Sequence, residues 1–199
     1  RLWRRGSNDP DSIIRHQGRV FCVAFSGDSQ HPVLATGCED GVVRVFDSYG
    51  TLIQNFDEHQ GQVNAIAWNR NAKPSWDIAS ASADGTVRLW QLPKVQREVK
   101  SSIAKSLAVL QSGGTKIWSL DSVPDEPLLI AGTESGNVIL WSGYESMPLG
   151  VLDGHHAPVW SVSVGPAGRQ LWTGGWDGTV RRWDASNAEW MHSGFDVYH

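Results

Sequence analysis

Trp176-Asp177-Gly178-Thr179-Val180-Arg181-Arg182-Trp183-Asp184 reads as a tight turn followed by a short strand. Asp-Gly is a strong hairpin signal, because glycine accepts the positive φ that the turn needs. The following residues alternate, with Val180 and Arg182 on one face and Thr179, Arg181 and Trp183 on the other. The phrase recurs. Ala83-Asp84-Gly85-Thr86-Val87-Arg88-Leu89-Trp90 nearly repeats it, Glu39-Asp40-Gly41-Val42-Val43-Arg44-Val45-Phe46 is close, and Glu134-Ser135-Gly136-Asn137-Val138-Ile139-Leu140-Trp141 is a worn copy. The turn glycines Gly41, Gly85, Gly136 and Gly178 lie 44, 51 and 42 residues apart. Self-similarity at such a period marks a repeat architecture.

Working outward from the phrases, each repeat supplies four short strands separated by turns. The first whole repeat starts at His16, with strands expected around Val20–Phe25, Val33–Thr36, Val42–Phe46 and Leu52–Phe56. The second starts at His59, and Val63, Ile66 and Trp68 keep the offsets that Val20, Val23 and Phe25 have from His16. An insertion at 91–106, carrying Lys94, Arg97, Lys100 and Lys105, then stretches the spacing. A basic surface loop of this kind reads as solvated. The third repeat is degraded, and the fourth, from Gly154-His155 onward, is the best preserved, with 187–193 as its last strand. At the start, Arg1-Leu2-Trp3 matches Arg88-Leu89-Trp90, and Ser12–Arg15 would be the last strand of a partial repeat. The divisions are therefore 1–15, 16–56, 57–112, 113–152 and 153–199.

Composition bounds the function. Of the 199 residues 40% are hydrophobic, enough for a packed core, and 11 are Trp. A net charge of −4 gives no general basis for nucleic-acid or membrane-surface binding. No apolar run approaches the roughly 18 residues of a membrane helix, and the start has no signal-peptide pattern. Cys22 and Cys38 form no disulfide framework; a bridge between them is conceivable, but two buried thiols in a reducing cytoplasm or nucleus is the simpler reading. The seven His show no dense ligand spacing, so neither metal nor cofactor is expected.

These phrases resemble the WD-repeat family, whose units are four-stranded blades of a β-propeller. The literal signatures are Gly154-His155 and Trp183-Asp184, and the resemblance covers essentially the whole chain. It implies an all-β fold of antiparallel blades, here an incomplete propeller of about four or five. The absent Met and the start within a repeat point to a fragment; a small closed ring and a half-ring dimer, associating through open blade edges, are the alternatives. The resemblance also implies a structural tetrad: His155, Thr173, Asp177 and Trp183 in the fourth blade, and His59, Ser80, Asp84 and Trp90 in the second. The first has His16, Thr36 and Asp40 with Phe46; the third has Gly113, Ala131, Ser135 and Trp141. A His, an Asp and a Ser together suggest a hydrolase triad. Here they recur in register with structural turns, so no catalysis is expected.

By the same resemblance, partner-contacting residues sit three and five positions after the His and just before the hairpin Asp. On this chain the chosen set is Arg19, Phe21, Lys116, Trp118, Glu134, Trp160 and Trp176. The implied function is a non-catalytic scaffold binding proteins or peptides. A substrate-recruiting adaptor of a ubiquitin ligase or another multiprotein complex is the alternative; a propeller enzyme and a nucleic-acid binder rank lower. Trp68 and Trp172 are expected to pack.

Overall fold

The computed structural model describes residues 2–3, 10–28, 31–70, 76–93, 104–124, 126–143, 145–165, 168 and 170–184. Among them every regular element is a β-strand. Strands β1 (Leu2–Trp3) and β2 (Pro10–Ser12) pair with each other. The first four-stranded sheet is β3 (Val20–Phe25), β4 (Leu34–Cys38), β5 (Val43–Phe46) and β6 (Leu52–Phe56). The second is β7 (Val63–Trp68), β8 (Ile78–Ser82), β9 (Thr86–Trp90) and β10 (Ala108–Gln111). The third is β11 (Ile117–Ser122), β12 (Leu128–Thr133), β13 (Val138–Ser142) and β14 (Gly150–Leu152). The fourth has β15 (Val159–Val164), β16 (Gln170–Gly175) and β17 (Val180–Asp184). Each sheet is an antiparallel meander in which sequence neighbours pair.

One expected strand falls elsewhere. Residues 13–15 are not strand; the pairing runs earlier, because the two residues of β1 set the register, Leu2 opposite Ser12 and Trp3 opposite Pro10. The strand expected at 187–193 lies outside the described residues, as do Lys94, Arg97 and Lys100 of the insertion; Lys105 is described and exposed.

The hairpin glycines act as their positions require. Gly41, Gly85, Gly136 and Gly178 have φ of 78, 82, 91 and 77°. Each N–H donates to the carbonyl three residues back, at 3.2 or 3.3 Å. The Asp of the same turn braces it: Asp40, Asp84 and Asp177 accept the N–H two residues on, the Asx geometry that makes Asp a turn former.

The core lies between the sheets. One cluster joins Ala35, Val43, Val45 and Phe56 of the first sheet to Val63, Ile66, Ile78 and Trp90 of the second. A second joins Ala79, Val87 and Leu89 to Leu120, Leu129 and Trp141. A third joins Ile130, Val138 and Leu140 to Val162, Val164, Leu171 and Trp183. The first strands of successive sheets, β3, β7, β11 and β15, pack side by side. Each sheet therefore buries both faces only by having a neighbour, the energetic logic of a repeat array. The two outer flanks carry exposed apolar groups, Val23 and Phe25 on the first sheet, Trp172 and Val180 on the last. Trp172 thus differs from the packing role expected for it: no following sheet covers it among the described residues.

Candidate protein-binding face

The buried polar network comes first, because it fixes the hairpins that present the face. In the second sheet Trp90 Nε1 lies 2.8 Å from Ser80 Oγ, Ser80 Oγ lies 2.8 Å from His59 Nε2, and His59 Nδ1 lies 2.9 Å from Asp84 Oδ2. Indole N–H only donates and a carboxylate only accepts. The hydrogen-bond pattern therefore assigns a one-way relay: Trp90 donates to Ser80, Ser80 to His59, His59 to Asp84. The fourth sheet repeats it with Trp183, Thr173, His155 and Asp177, at 2.9, 2.8 and 2.9 Å. Burial opposes ionisation of Asp84, but hydrogen bonds from His59, Thr86 and the Gln60 N–H outweigh it and hold the carboxyl well below the usual carboxylate range. For Asp177 the Thr179 hydroxyl is the main cause of the same shift.

The other two sheets depart from the pattern. His16 Nε2 reaches Thr36 Oγ1 at 2.9 Å, but Asp40 does not complete the set. Its carboxylate is gripped by the Arg44 guanidinium at 3.2 and 2.6 Å, a bidentate pairing that competes successfully for the acceptor. Asp40 thus holds its hairpin and not His16. In the third sheet Trp141 keeps its place, fully buried, while Ala131 stands where Ser80 and Thr173 stand. The Trp141 Nε1 donor is left without a partner. As the sequence indicates, Trp141 is kept while the His, the Ser or Thr and the Asp are replaced by Gly113, Ala131 and Ser135.

A bulge positions the face. In all four sheets the first strand skips one residue in its pairing with the second: Phe21, Asn64, Trp118 and Trp160. A bulge frees a side chain from the pleat and re-aims it. Beside each bulge a backbone hydrogen bond ties the two remaining positions together: Glu39 to Arg19, Ala83 to Gln62, Glu134 to Lys116 and Trp176 to Pro158, at 2.8 to 3.0 Å. The three positions named from the sequence are thus neighbours in each sheet.

Across sheets three of the chosen residues meet. The Trp118 and Trp160 rings lie 4.4 Å apart at 39°, and Trp160 and Trp176 lie 5.4 Å apart at 68°. Trp160 is 45% and Trp176 69% exposed. Lys116 and Glu134 form an exposed ion pair of 3.0 Å beside them. Arg19, Phe21 and Glu39 sit two sheets away; the Arg19 N–H donates to Glu39, and Phe21 is exposed but outside the tryptophan cluster.

Three features of the sheet interfaces escaped sequence reading. Ser119 Oγ donates to the Val159 carbonyl of the next sheet, and Cys22 occupies the same place before Val63. Burial pushes the Cys22 thiol up to about 12, so it behaves as a neutral packing group; Cys22 and Cys38 are both free. Where the second sheet has Ala65, the neighbouring Asn64 makes the contact, donating to the Ile117 carbonyl at 2.7 Å. Asn64 is therefore buried and joins sheets, although its position otherwise faces outward. At the other end Asp121 accepts from Arg70 Nη2 at 2.8 Å and from the Val164 N–H at 2.8 Å, bridging three sheets. Among the described residues no three His, Cys, Asp or Glu side chains are placed to hold a metal ion.

Antiparallel meanders of three or four described strands, stacked first strand to first strand, with a His–Asp relay in the second and fourth, define the blades of a β-propeller. The chain belongs to the WD-repeat family: the family model "WD domain, G-beta repeat" matches residues 10–47, 50–91, 104–142 and 146–184. It is 33% identical over 177 residues to Periodic tryptophan protein 2 of Arabidopsis thaliana, which covers 86% of this chain and 18% of that protein. It is 31% identical over 189 residues to the Caenorhabditis elegans homolog of that protein, covering 92% of this chain and 19% of the other. The chain thus spans less than a fifth of the length of these relatives. A chain in the crystal structure of the mitotic checkpoint complex superposes with a TM-score of 0.69 at 24% identity, over 87% of this chain and 50% of that one. Half of that chain's length matches the reading of an incomplete propeller.

Proposed function

We propose that the chain is a non-catalytic interaction scaffold that captures protein or peptide partners on the hairpin-side face of its blades. Trp118, Trp160 and Trp176 form the anchor; Lys116 and Glu134 rim it, and Arg19 and Phe21 extend it. The observation that supports this reading most is the contiguity of three tryptophans, drawn from two blades, of which two are largely exposed. Folding does not require large aromatics at solvent-facing bulges and turns, whereas clustered Trp is the composition of binding hot spots. The His–Asp pairs are engaged inside the blades, with both His side chains at 0% exposure, so they offer no accessible base to a substrate. On this reading the protein works in the cytoplasm or nucleus, where free Cys22 and Cys38 persist.

The test is a peptide library selected on the wild-type chain. Binders should weaken by about tenfold or more against the Trp160→Ala/Trp176→Ala double variant, the loss of roughly 1.4 kcal/mol that one anchor supplies. Tyr49→Ala, an exposed aromatic on the β5–β6 turn, should leave them unchanged. Binders that treat both variants alike would refute the assignment.

A further inference from the structure

We propose that the tryptophan cluster recognises a proline-rich segment in the polyproline II conformation; this rests on the binding face proposed above. The argument starts from what the cluster offers. The indole N–H groups of Trp68, Trp90 and Trp183 are all bonded, to Ala24, Ser80 and Thr173. Those of Trp118, Trp160 and Trp176 have no hydrogen-bond partner among the described residues, and the Trp118 Nε1 is shielded from solvent. Trp160 and Trp176 therefore offer a partner two indole donors and no indole acceptor, since indole nitrogen has no acceptor capacity.

Its carboxylates are already engaged from within. Glu134 is paired with Lys116. The Asp177 carboxylate, one residue from Trp176, is held by His155, Thr179 and the His156 N–H. A cationic partner side chain would find ring faces but no free carboxylate beside them. The Trp160 and Trp176 rings meet edge to face at 68° and 5.4 Å, presenting two apolar walls at a steep angle. Trp118 against Trp160, at 4.4 Å, closes the inner side, so nothing inserts between those two.

The ligand that complements ring walls, unpaired donors and no free carboxylate is a polypeptide with apolar puckered rings and free carbonyls. A polyproline II helix is that object: it makes no internal hydrogen bonds, so its carbonyls remain available, and it is ordered before binding. A helix lacks this match, because its carbonyls are occupied in its own ladder; a lone extended strand without proline lacks the puckered apolar rings. Aromatic-lined grooves are the general solution for such segments.

The experiment titrates the 199-residue chain with acetylated, amidated decaproline, following intrinsic tryptophan fluorescence and, in parallel, calorimetric heat. Two ten-residue controls are a Gly-Ser repeat and a Gly-Ser repeat carrying three arginines. Saturable binding of decaproline alone, weakened at least about tenfold by Trp176→Ala and unchanged by Tyr49→Ala, is the expected result. Trp176 is 69% exposed, so its truncation leaves the fold in place; a melting curve checks this. No saturable decaproline binding, equal binding by Trp176→Ala, or tighter binding of the arginine peptide would each overturn the proposal. If library-selected peptides still require Trp160 and Trp176 while decaproline fails, the binding face stands and the polyproline assignment alone is lost.

Discussion

Replacing Ser80 with alanine removes one oxygen from the second blade, and the structure says what that oxygen does. Ser80 Oγ accepts from Trp90 Nε1 and lies against His59 Nε2, both at 2.8 Å. Ser80 and Trp90 are fully buried and His59 nearly so. No water replaces a hydroxyl in so tight a place, so Ser80→Ala leaves a buried donor and a buried acceptor without partners. Each such group costs about 1–3 kcal/mol, and the lost methylene-sized volume is negligible beside it. Taking the lowest quarter of that range, about 1–1.5 kcal/mol, for each gives a loss of about 2–3 kcal/mol. For a chain of this size that is a fall in melting temperature of roughly 4–12 °C. Ser80→Thr is the control, because the fourth blade already uses Thr173 in the same geometry, 2.9 Å from Trp183 Nε1 and 2.8 Å from His155 Nε2. Differential scanning calorimetry on the three proteins decides. A Ser80→Ala melting point within a degree of wild type would refute the relay, as would a Ser80→Thr loss as large as that of Ser80→Ala.

The third blade supplies the converse: Ala131→Ser should give Trp141 Nε1 its missing acceptor and raise stability by up to about 1 kcal/mol, read as a higher urea midpoint. Asp121→Ala should cost about 1–3 kcal/mol by orphaning the Val164 N–H and releasing Arg70, with Asp121→Asn intermediate in the same assay. The pH response follows from Asp84 and Asp177, whose folded-state values lie below those of an unfolded Asp, near 3.9. Their stabilisation is complete well above pH 4 and is lost as pH falls through the folded values, because the unfolded chain then binds more protons. The urea midpoint should fall more steeply between pH 5 and 3 for wild type than for Asp84→Asn; parallel curves would contradict the pairing.

The fold was legible because the hairpin phrase couples two signals that must agree. Asp-Gly sets the turn, and Val43, Val87 and Val138 at the same offset set which face is buried, while Val180, at that offset in the last sheet, lies exposed on the outer flank. Strands β3, β6 and β7 therefore lie where the spacing placed them. The tetrad positions were legible by alignment of copies, but its hydrogen bonds were not. Nothing in the first repeat announces that Arg44, four residues after Asp40, captures the carboxylate; Arg88 and Arg181 occupy the same offset in blades where the Asp is held by His. The bulge was also invisible, since alternation is read as unbroken until a pairing partner shows the skipped residue. Asp121 bridges blades through sequence separations of about fifty and forty residues, where no local pattern reaches.

The bulge explains why one short phrase can be conserved in form and yet vary in what it presents. Residues that pair or enter the relay are constrained by partners on both sides: a Cβ on Gly37 or Gly132 would strike the next blade's Val63 or Val159. The bulge residue has no pairing partner, and the residue before the hairpin Asp joins the blade's ladder through its backbone alone. At these positions a side chain changes without cost to the ladder, and the chain holds Phe21, Asn64, Trp118 and Trp160 at the first, and Glu39, Ala83, Glu134 and Trp176 at the second. Asp177 and Trp176 are adjacent in sequence but belong to different problems. Asp177 is fixed by His155 and Thr179 inside the hairpin. Trp176 is bound to the blade only through its N–H on the Pro158 carbonyl, which leaves its ring free to meet Trp160. A repeat built this way separates stability from recognition at single-residue resolution, so substitutions at Trp160 and Trp176 should change binding while the melting temperature set by Ser80, His59 and Asp84 stays where it is.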